Sequence, residues 1–324
     1  MTNDQDRLPD NNEIPDPIEE KPKLNPAISP LSAGIFGLIA IFFLYQIGGS
    51  LITLIIFGFD LENVDVNALR LMTMAGQLLL ILVPSLIFAK LVYQDVTTVI
   101  RAKLPSIKEI LIFVVGLIII TPLLQEIIFI QKFILESLAE NSALFEKIKL
   151  LLDELDKIVE STYSNILSAG NVFEMFLVII VVAVVPALCE EVFFRGFIQK
   201  SFELQLKPVW AILVTSLFFG VYHFNPFGLV ALVILGLYFG YAAYKSESIV
   251  VPIVLHFLNN FVAVIAFFVF GNEDLDKIEV VESLGIGEHI ITTIIMAAVL
   301  GGFMYYLHKN YFKFQNKEVS HDLP

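Results

Sequence analysis

The 324-residue chain has one cysteine, Cys189, and only 16% charged residues. A single cysteine cannot close an internal disulfide or supply a cysteine-rich zinc site, so a secreted disulfide scaffold and a zinc finger are both excluded. Cations are scarcer than anions, 20 against 33, for a net charge of −13. That argues against a nucleic-acid partner, because neutralising phosphate needs an excess of Lys and Arg. Soluble domains carry roughly 25% charged and roughly 45–50% apolar residues, whereas 57% of this chain is apolar. A soluble globule is excluded, and an all-α polytopic membrane bundle is what remains.

Residues 1–30 hold six of the 14 prolines, seven acids and three bases, with no apolar run. Such a segment cannot bury enough surface to order itself and is expected to be a disordered tail. No basic n-region, short apolar stretch and small-residue cleavage site stand at the start, so the first membrane helix is expected to act as the insertion signal.

Hydropathy in windows of about 19 residues marks eight apolar stretches, at 31–59, 69–92, 110–130, 172–194, 209–224, 227–244, 249–270 and 289–307. The third is interrupted by Thr121-Pro122 and Gln125-Glu126. The fifth and sixth are short and separated only by Asn225-Pro226. About eight transmembrane helices put both termini on one side, and the termini with the connections on their side carry 14 of the 20 Lys and Arg residues. By the positive-inside rule both termini are expected in the cytoplasm. The acids concentrate in the outer loops, as in 272–288 with six acids and one lysine.

The domain organisation expected is a tail at 1–30, three membrane helices at 31–130, an outer segment at 131–171, a five-helix core at 172–308 and a second tail at 309–324. Within the outer segment Phe145, Ile148, Leu151, Leu152, Leu155 and Ile158 recur at helical spacing among charged residues. This is an amphipathic helix. Its negative charge disfavours anionic lipid, so it is expected to pack on the protein.

Ionisable side chains at membrane depth cost several kcal/mol unless paired or hydrated, so polar residues inside apolar runs are the informative ones. Three groups qualify: Glu190, Glu191 and Arg195; His223 with Phe219 four residues before it; and His256 with Asn260. Glu191 and Arg195 are four apart and share a helix face, which allows an ion pair and leaves Glu190 turned about 100° away as the free carboxylate. His256 and Asn260 also share a face. Lys207-Pro208 is the turn between spans four and five, with Glu190 17 residues before Lys207 and His223 16 after it. In an antiparallel hairpin both lie about 25 Å from the turn, at one level. His256 reaches that level only if the hairpin projects past the seventh span's start, which the mixed sequence 196–206 allows.

A water between Glu190 and His223 can be activated by general-base catalysis. N–H groups of His256 and Asn260 can face the developing oxyanion. Pro186, one turn before Glu190, frees the carbonyl of Val182 and permits a kink. Gln46, Gln77, Gln125, Glu126, His289, His308 and His321 read as packing or span-end residues. Cys189 has no partner at helical spacing that would make it a nucleophile.

The ordered motifs Glu190-Glu191-x-x-x-Arg195, Phe219-x-x-x-His223 and His256-x-x-x-Asn260 resemble the signature of the CAAX prenyl protease and bacteriocin-processing (CPBP, or Abi) family of intramembrane proteases. The resemblance covers about residues 173–270. It implies an eight-span helical bundle with a membrane-embedded, cytoplasm-facing cavity in a bacterial plasma membrane, and endopeptidase activity on a peptide or lipidated protein held at the bilayer. Eukaryotic members remove the last three residues of prenylated proteins, and bacterial members are linked to bacteriocin immunity and peptide processing. By position, Glu190 and His223 resemble the water-activating pair, His256 and Asn260 the oxyanion pair, and Glu191 with Arg195 the supporting ion pair. The family is often labelled metalloprotease. Zinc held by Glu190, His223 and His256 is stereochemically allowed, while metal-independent glutamate catalysis, with no cofactor, is the favoured reading. A non-catalytic scaffold or immunity protein using the same cavity is the alternative from another class.

Overall fold

The computed structural model describes residues 24–59, 64–275 and 285–315. Most of the N-terminal tail, most of the acidic 272–288 loop, the last nine residues and His321 lie outside the described residues. Within them every regular element is helical. Seven helices are long and apolar enough to cross a membrane: α1 (Pro30–Phe57), α2 (Val66–Tyr93), α3 (Ile107–Asn141), α5 (Val172–Glu203), α7 (Leu229–Ser246), α8 (Val250–Gly271) and α9 (Ile286–Lys313). The eighth apolar stretch is α6 (Pro208–Tyr222), at 15 residues too short to span alone. Between α3 and α5 lies α4 (Ala143–Leu167).

The third stretch, with its Thr121-Pro122 and Gln125-Glu126 interruptions, is one continuous helix. Pro122 sits inside α3, whose 35 residues begin with a full capping box at Ser106 and Glu109. At about 1.5 Å per residue the helix is about 52 Å long and overshoots a hydrocarbon core of about 30 Å. A proline inside a membrane helix is tolerated where neighbouring groups satisfy the freed backbone, and here α7, α8 and α9 pack along α3. Helix α4 folds back along the projecting end of α3. It lies on the protein as expected, but through a mixed face: Lys132 and Asp156 approach to 3.8 Å. The stripe Leu144, Ile148, Leu151, Leu155 and Ile158 stays exposed.

Two apolar cores flank the central hairpin. One joins α1, α2, α5 and α6 through Leu38, Ile81, Phe193, Phe197 and Phe219. The other joins α3, α7, α8 and α9 through Phe113, Leu235, Phe239, Leu255 and Leu307. Small residues let helices approach closely, as is usual between membrane helices. A Cβ on Gly37 would lie 2.5 Å from the ring of Phe197.

One end of the bundle, which we call the base, is tied by polar contacts. Arg101 donates to the carbonyl of Arg195 at 2.8 Å and pairs with Glu203, while Ile249 N–H donates to the Arg101 carbonyl at 3.0 Å. Ser248 bonds the Lys103 carbonyl and Ser106 that of Phe314. The start of α8 therefore meets α5 near Arg195, and the α5–α6 hairpin extends beyond it, as the level of His256 required.

Candidate active site

The site lies between the two cores, with Phe194 and Phe219 on one side and Phe239 and Leu255 on the other. Helix α5 is a continuous rod interrupted by π-helical stretches at Ile179–Val184 and Val192–Ile198. Glu190 and Glu191 stand on the α-helical segment between them. π-Bulges release backbone carbonyls and turn side chains away from a regular helical register. The second stretch leaves the Arg195 carbonyl to accept from Arg101.

Glu191 and Arg195 are fully buried and joined at 2.8 Å, Nη1 to Oε1. Arg195 also donates to the Gly236 carbonyl at 3.2 Å, where glycine keeps α7 close to α6. Its guanidinium lies 4.2 Å from the ring centroid of Phe219 and 5.5 Å from that of Phe239. This caged cation adds a further partner to Glu191: the same Oε1 accepts from Nδ1 of His256 at 2.8 Å. Phe239 stacks on the His256 ring at 5.6 Å and Phe219 meets it edge-on at 5.9 Å. His256 is thereby fixed in position and orientation, with Nδ1–H directed at a carboxylate and Nε2 directed away from it.

Asn260, one turn further along α8, donates from Nδ2 to the carbonyl of Val182 at 3.0 Å. That is the carbonyl that Pro186 leaves without its helical partner. One of the two amide hydrogens of Asn260 is thus engaged in joining α8 to α5, and Oδ1 accepts from Asn259 at 3.2 Å.

His223 is the C-cap of α6. Its backbone N–H turns to the Gly220 carbonyl at 3.2 Å, so the Phe219 carbonyl is open to Nδ1 of its ring at 2.6 Å. Phe224 follows with φ 49°, in the left-handed conformation that ends many helices. With Nδ1–H given to a backbone carbonyl, Nε2 of the neutral ring is an acceptor. It faces Oε2 of Glu190 at 3.6 Å, and that oxygen is buried with no hydrogen-bond partner among the described residues. In that neutral form both atoms are acceptors, and they lie beyond hydrogen-bond range of each other. A water beside the line joining them can donate one hydrogen to each.

The structure thus brings Glu190 to His223, and Glu191 to both Arg195 and His256. It joins Asn260 to α5 rather than to His256. Two residues that the motif reading left aside lie nearby in the fold. Tyr45 of α1 packs on the core of α1, α2, α5 and α6 that holds Cys189. Gln46 donates to the Tyr222 carbonyl at 2.8 Å, next to His223. The available signal was an uncharged polar residue in mid-span, the type of residue that more often joins helices. Cys189 is buried in the apolar core of α1, α2, α5 and α6. The far-side pair is separate: His289 bonds Glu126 at 2.8 Å, linking α9 to α3.

Among the described residues no three His, Cys, Asp or Glu side chains converge as a metal-ligand set. Glu191 engages Nδ1 of His256 and leaves Nε2 open, and His223 faces Glu190 with its Nε2.

Fold and site define a polytopic helical membrane protein with a carboxylate–imidazole centre buried among its helices. Residues 172–262 match the family described as Type II CAAX prenyl endopeptidase Rce1-like, in agreement with the CPBP resemblance carried by the three motifs. The match holds Glu190, Glu191, Arg195, His223, His256 and Asn260, and leaves out α1 to α4 and α9. No curated protein and no solved structure matches the chain.

Proposed function

We propose that the protein is an intramembrane endopeptidase that hydrolyses a peptide bond in a membrane-associated or lipidated substrate, with Glu190 as general base. The observation that carries the proposal is the pair of facing acceptors, Glu190 Oε2 and His223 Nε2, 3.6 Å apart. A water donating to both has its lone pairs free for attack on a carbonyl carbon. As the C–O bond forms, Glu190 takes one water proton and the carbonyl oxygen becomes an oxyanion. The second amide hydrogen of Asn260 is one donor for it. His256 becomes the other when Nε2 carries a proton, and Glu191 is then the counter-ion of the imidazolium. Collapse of the intermediate breaks the C–N bond, and the proton on Glu190 passes to the leaving amine. Each oxyanion donor in such sites is worth roughly 10²–10³ in kcat.

Cytoplasmic termini, in a bacterial plasma membrane, belong to the same proposal. The orientation rests on the 14 Lys and Arg residues on the side of the termini. Peptide termini generated in membranes carrying the wild-type chain should vanish with Glu190→Gln in a variant that remains folded, and should persist in the presence of a chelator. Retained termini with Glu190→Gln would overturn the assignment and leave a peptide-binding scaffold as the reading of the cavity.

A further inference from the structure

A helix ends on four carbonyls that have no partner within it, and at the end of α6 each finds a different one. The Phe219 carbonyl accepts from the His223 ring, the Gly220 carbonyl from His223 N–H and the Val221 carbonyl from Phe224 N–H at 3.2 Å. The fourth, that of Tyr222, has its partner on another helix: Nε2 of Gln46 on α1, at 2.8 Å. This carbonyl and His223 N–H belong to one planar peptide unit. With the N–H held by Gly220 and the oxygen by Gln46, the unit is tied at both ends, and so is the direction in which His223 leaves the helix.

Helix α1 holds the same turn a second time. The Tyr222 hydroxyl donates to the Leu38 carbonyl. The ring of Phe42 packs on that of Tyr222 at 5.5 Å and on that of Phe224 at 6.1 Å, so both chain neighbours of His223 rest on one residue of α1. Gln46 itself stands on the π-helical stretch Phe42–Gly49, an interruption that turns side chains out of regular helical register. A glutamine acting only as interhelical glue could join any two backbones; this one takes the carbonyl next to the imidazole that faces Glu190.

We propose that Gln46 is a positioning residue for His223: by holding the Tyr222 carbonyl it sets the approach of His223 Nε2 to Glu190, and with it the seat of the attacking water. The role in turnover rests on the peptidase reading; the tie between α1 and α6 does not.

Tyr222-His223 is the one Tyr-His step in the sequence. Full-length protein in detergent, labelled with carbon-13 at tyrosine carbonyls and nitrogen-15 at histidine, therefore gives a single amide signal correlated with that carbonyl. Gln46→Met, which keeps the length of the side chain and removes the donor, should move the carbonyl resonance upfield. An unmoved resonance overturns the tie, whatever the protein cleaves. In cleavage assays Gln46→Met should lower kcat about tenfold, equivalent to about 1.4 kcal/mol, with KM unchanged. On a His223→Ala background the same substitution should cost nothing further, because residues that act as a unit are not additive. Where Glu190→Gln abolishes cleavage, an unchanged kcat, an effect confined to KM or an equal loss without His223 overturns the positioning role. Gln46→Asn, whose amide is one methylene short of the carbonyl, should give the same results and decides both points if the methionine variant does not fold. If Glu190→Gln abolishes nothing, the peptidase reading and the positioning role fall together, and the resonance alone decides the tie.

Discussion

Nδ1 of His256 and Oε1 of Glu191 lie 2.8 Å apart, and the same oxygen is 2.8 Å from Nη1 of Arg195. One carboxylate oxygen thus serves a permanent cation and a titratable ring in a fully buried setting. Adjacent Glu190 joins neither of them and faces His223 Nε2 at 3.6 Å. The two neighbouring glutamates are chemically identical, and their surroundings assign them separate tasks: one holds the frame and the other faces the reaction space.

Stability measurements should separate them. Glu191→Gln leaves the Arg195 charge buried without its counter-ion, and breaking a buried pair in this way costs about 3–5 kcal/mol. Glu190→Gln removes a carboxylate oxygen that bonds nothing, and should change stability by less than about 1 kcal/mol. Thermal unfolding of the two variants in the same detergent, followed by tryptophan emission, should show a large fall in Tm for the first and a small one for the second. Equal shifts would contradict the division of labour.

The part of this arrangement that sequence spacing carried is the part within one helix or one hairpin. Four-residue spacing placed Arg195 on Glu191, and nearly equal distances from Lys207, 17 and 16 residues, brought Glu190 level with His223. The link from His256 to Glu191 depends on how α8 is rotated against α5, which no spacing within either helix encodes. Gln46 reaches the Tyr222 carbonyl and Arg70 the Ile166 carbonyl across helices, and each alone is indistinguishable from a packing residue. Whether Pro122 ends or only punctuates its span is equally invisible to spacing, because a proline in a membrane helix is tolerated where neighbours satisfy the freed backbone, and the helices α7, α8 and α9 that pack along α3 come from far along the chain.

Arg101 offers a second test of the frame. Its fork reaches the Arg195 carbonyl, Glu203 and, at 3.7 Å, Glu247, joining the loop before α3 to the π-helical stretch that carries Arg195. Lysine keeps the charge but is a point donor without the fork. Arg101→Lys should lower stability by about 1–3 kcal/mol and reduce turnover by altering the position of Arg195. A scan of Tm together with cleavage rate should show both falling. Loss of turnover with an unchanged Tm would locate the effect elsewhere.

At the base, Asp95 caps the one-turn helix Val96–Val99 through Thr98 N–H at 3.1 Å, Thr98 Oγ1 at 2.6 Å and Thr97 Oγ1 at 2.8 Å. These bonds, chiefly that from the Thr98 hydroxyl, hold its carboxyl below the usual carboxylate range. The carboxylate is therefore the form that the fold favours. Its stabilisation is complete above the ordinary carboxylate pKa and is lost as pH falls through the depressed folded value. Hydrogen exchange at the 98–102 amides should accelerate over that acid interval relative to Asp95→Asn, which has no charge to lose. Identical acid limbs in the two proteins would contradict the cap.

The bond from Asn260 to the Val182 carbonyl, at 3.0 Å, exists because Pro186 has no N–H to give. The two positions are therefore coupled, with a sign that can be stated beforehand. Asn260→Ala leaves a buried carbonyl without a donor and should cost about 1–3 kcal/mol. Pro186→Ala restores a backbone N–H that competes for the same oxygen and so withdraws the reason for the side-chain bond. Once that N–H is present, deleting Asn260 removes a redundant donor, so the double variant should be more stable than the two single losses predict, by about 1 kcal/mol. A thermal-unfolding double-mutant cycle measures this. Strict additivity would mean that the proline and the asparagine act on different carbonyls, and that α8 is held to α5 by packing alone.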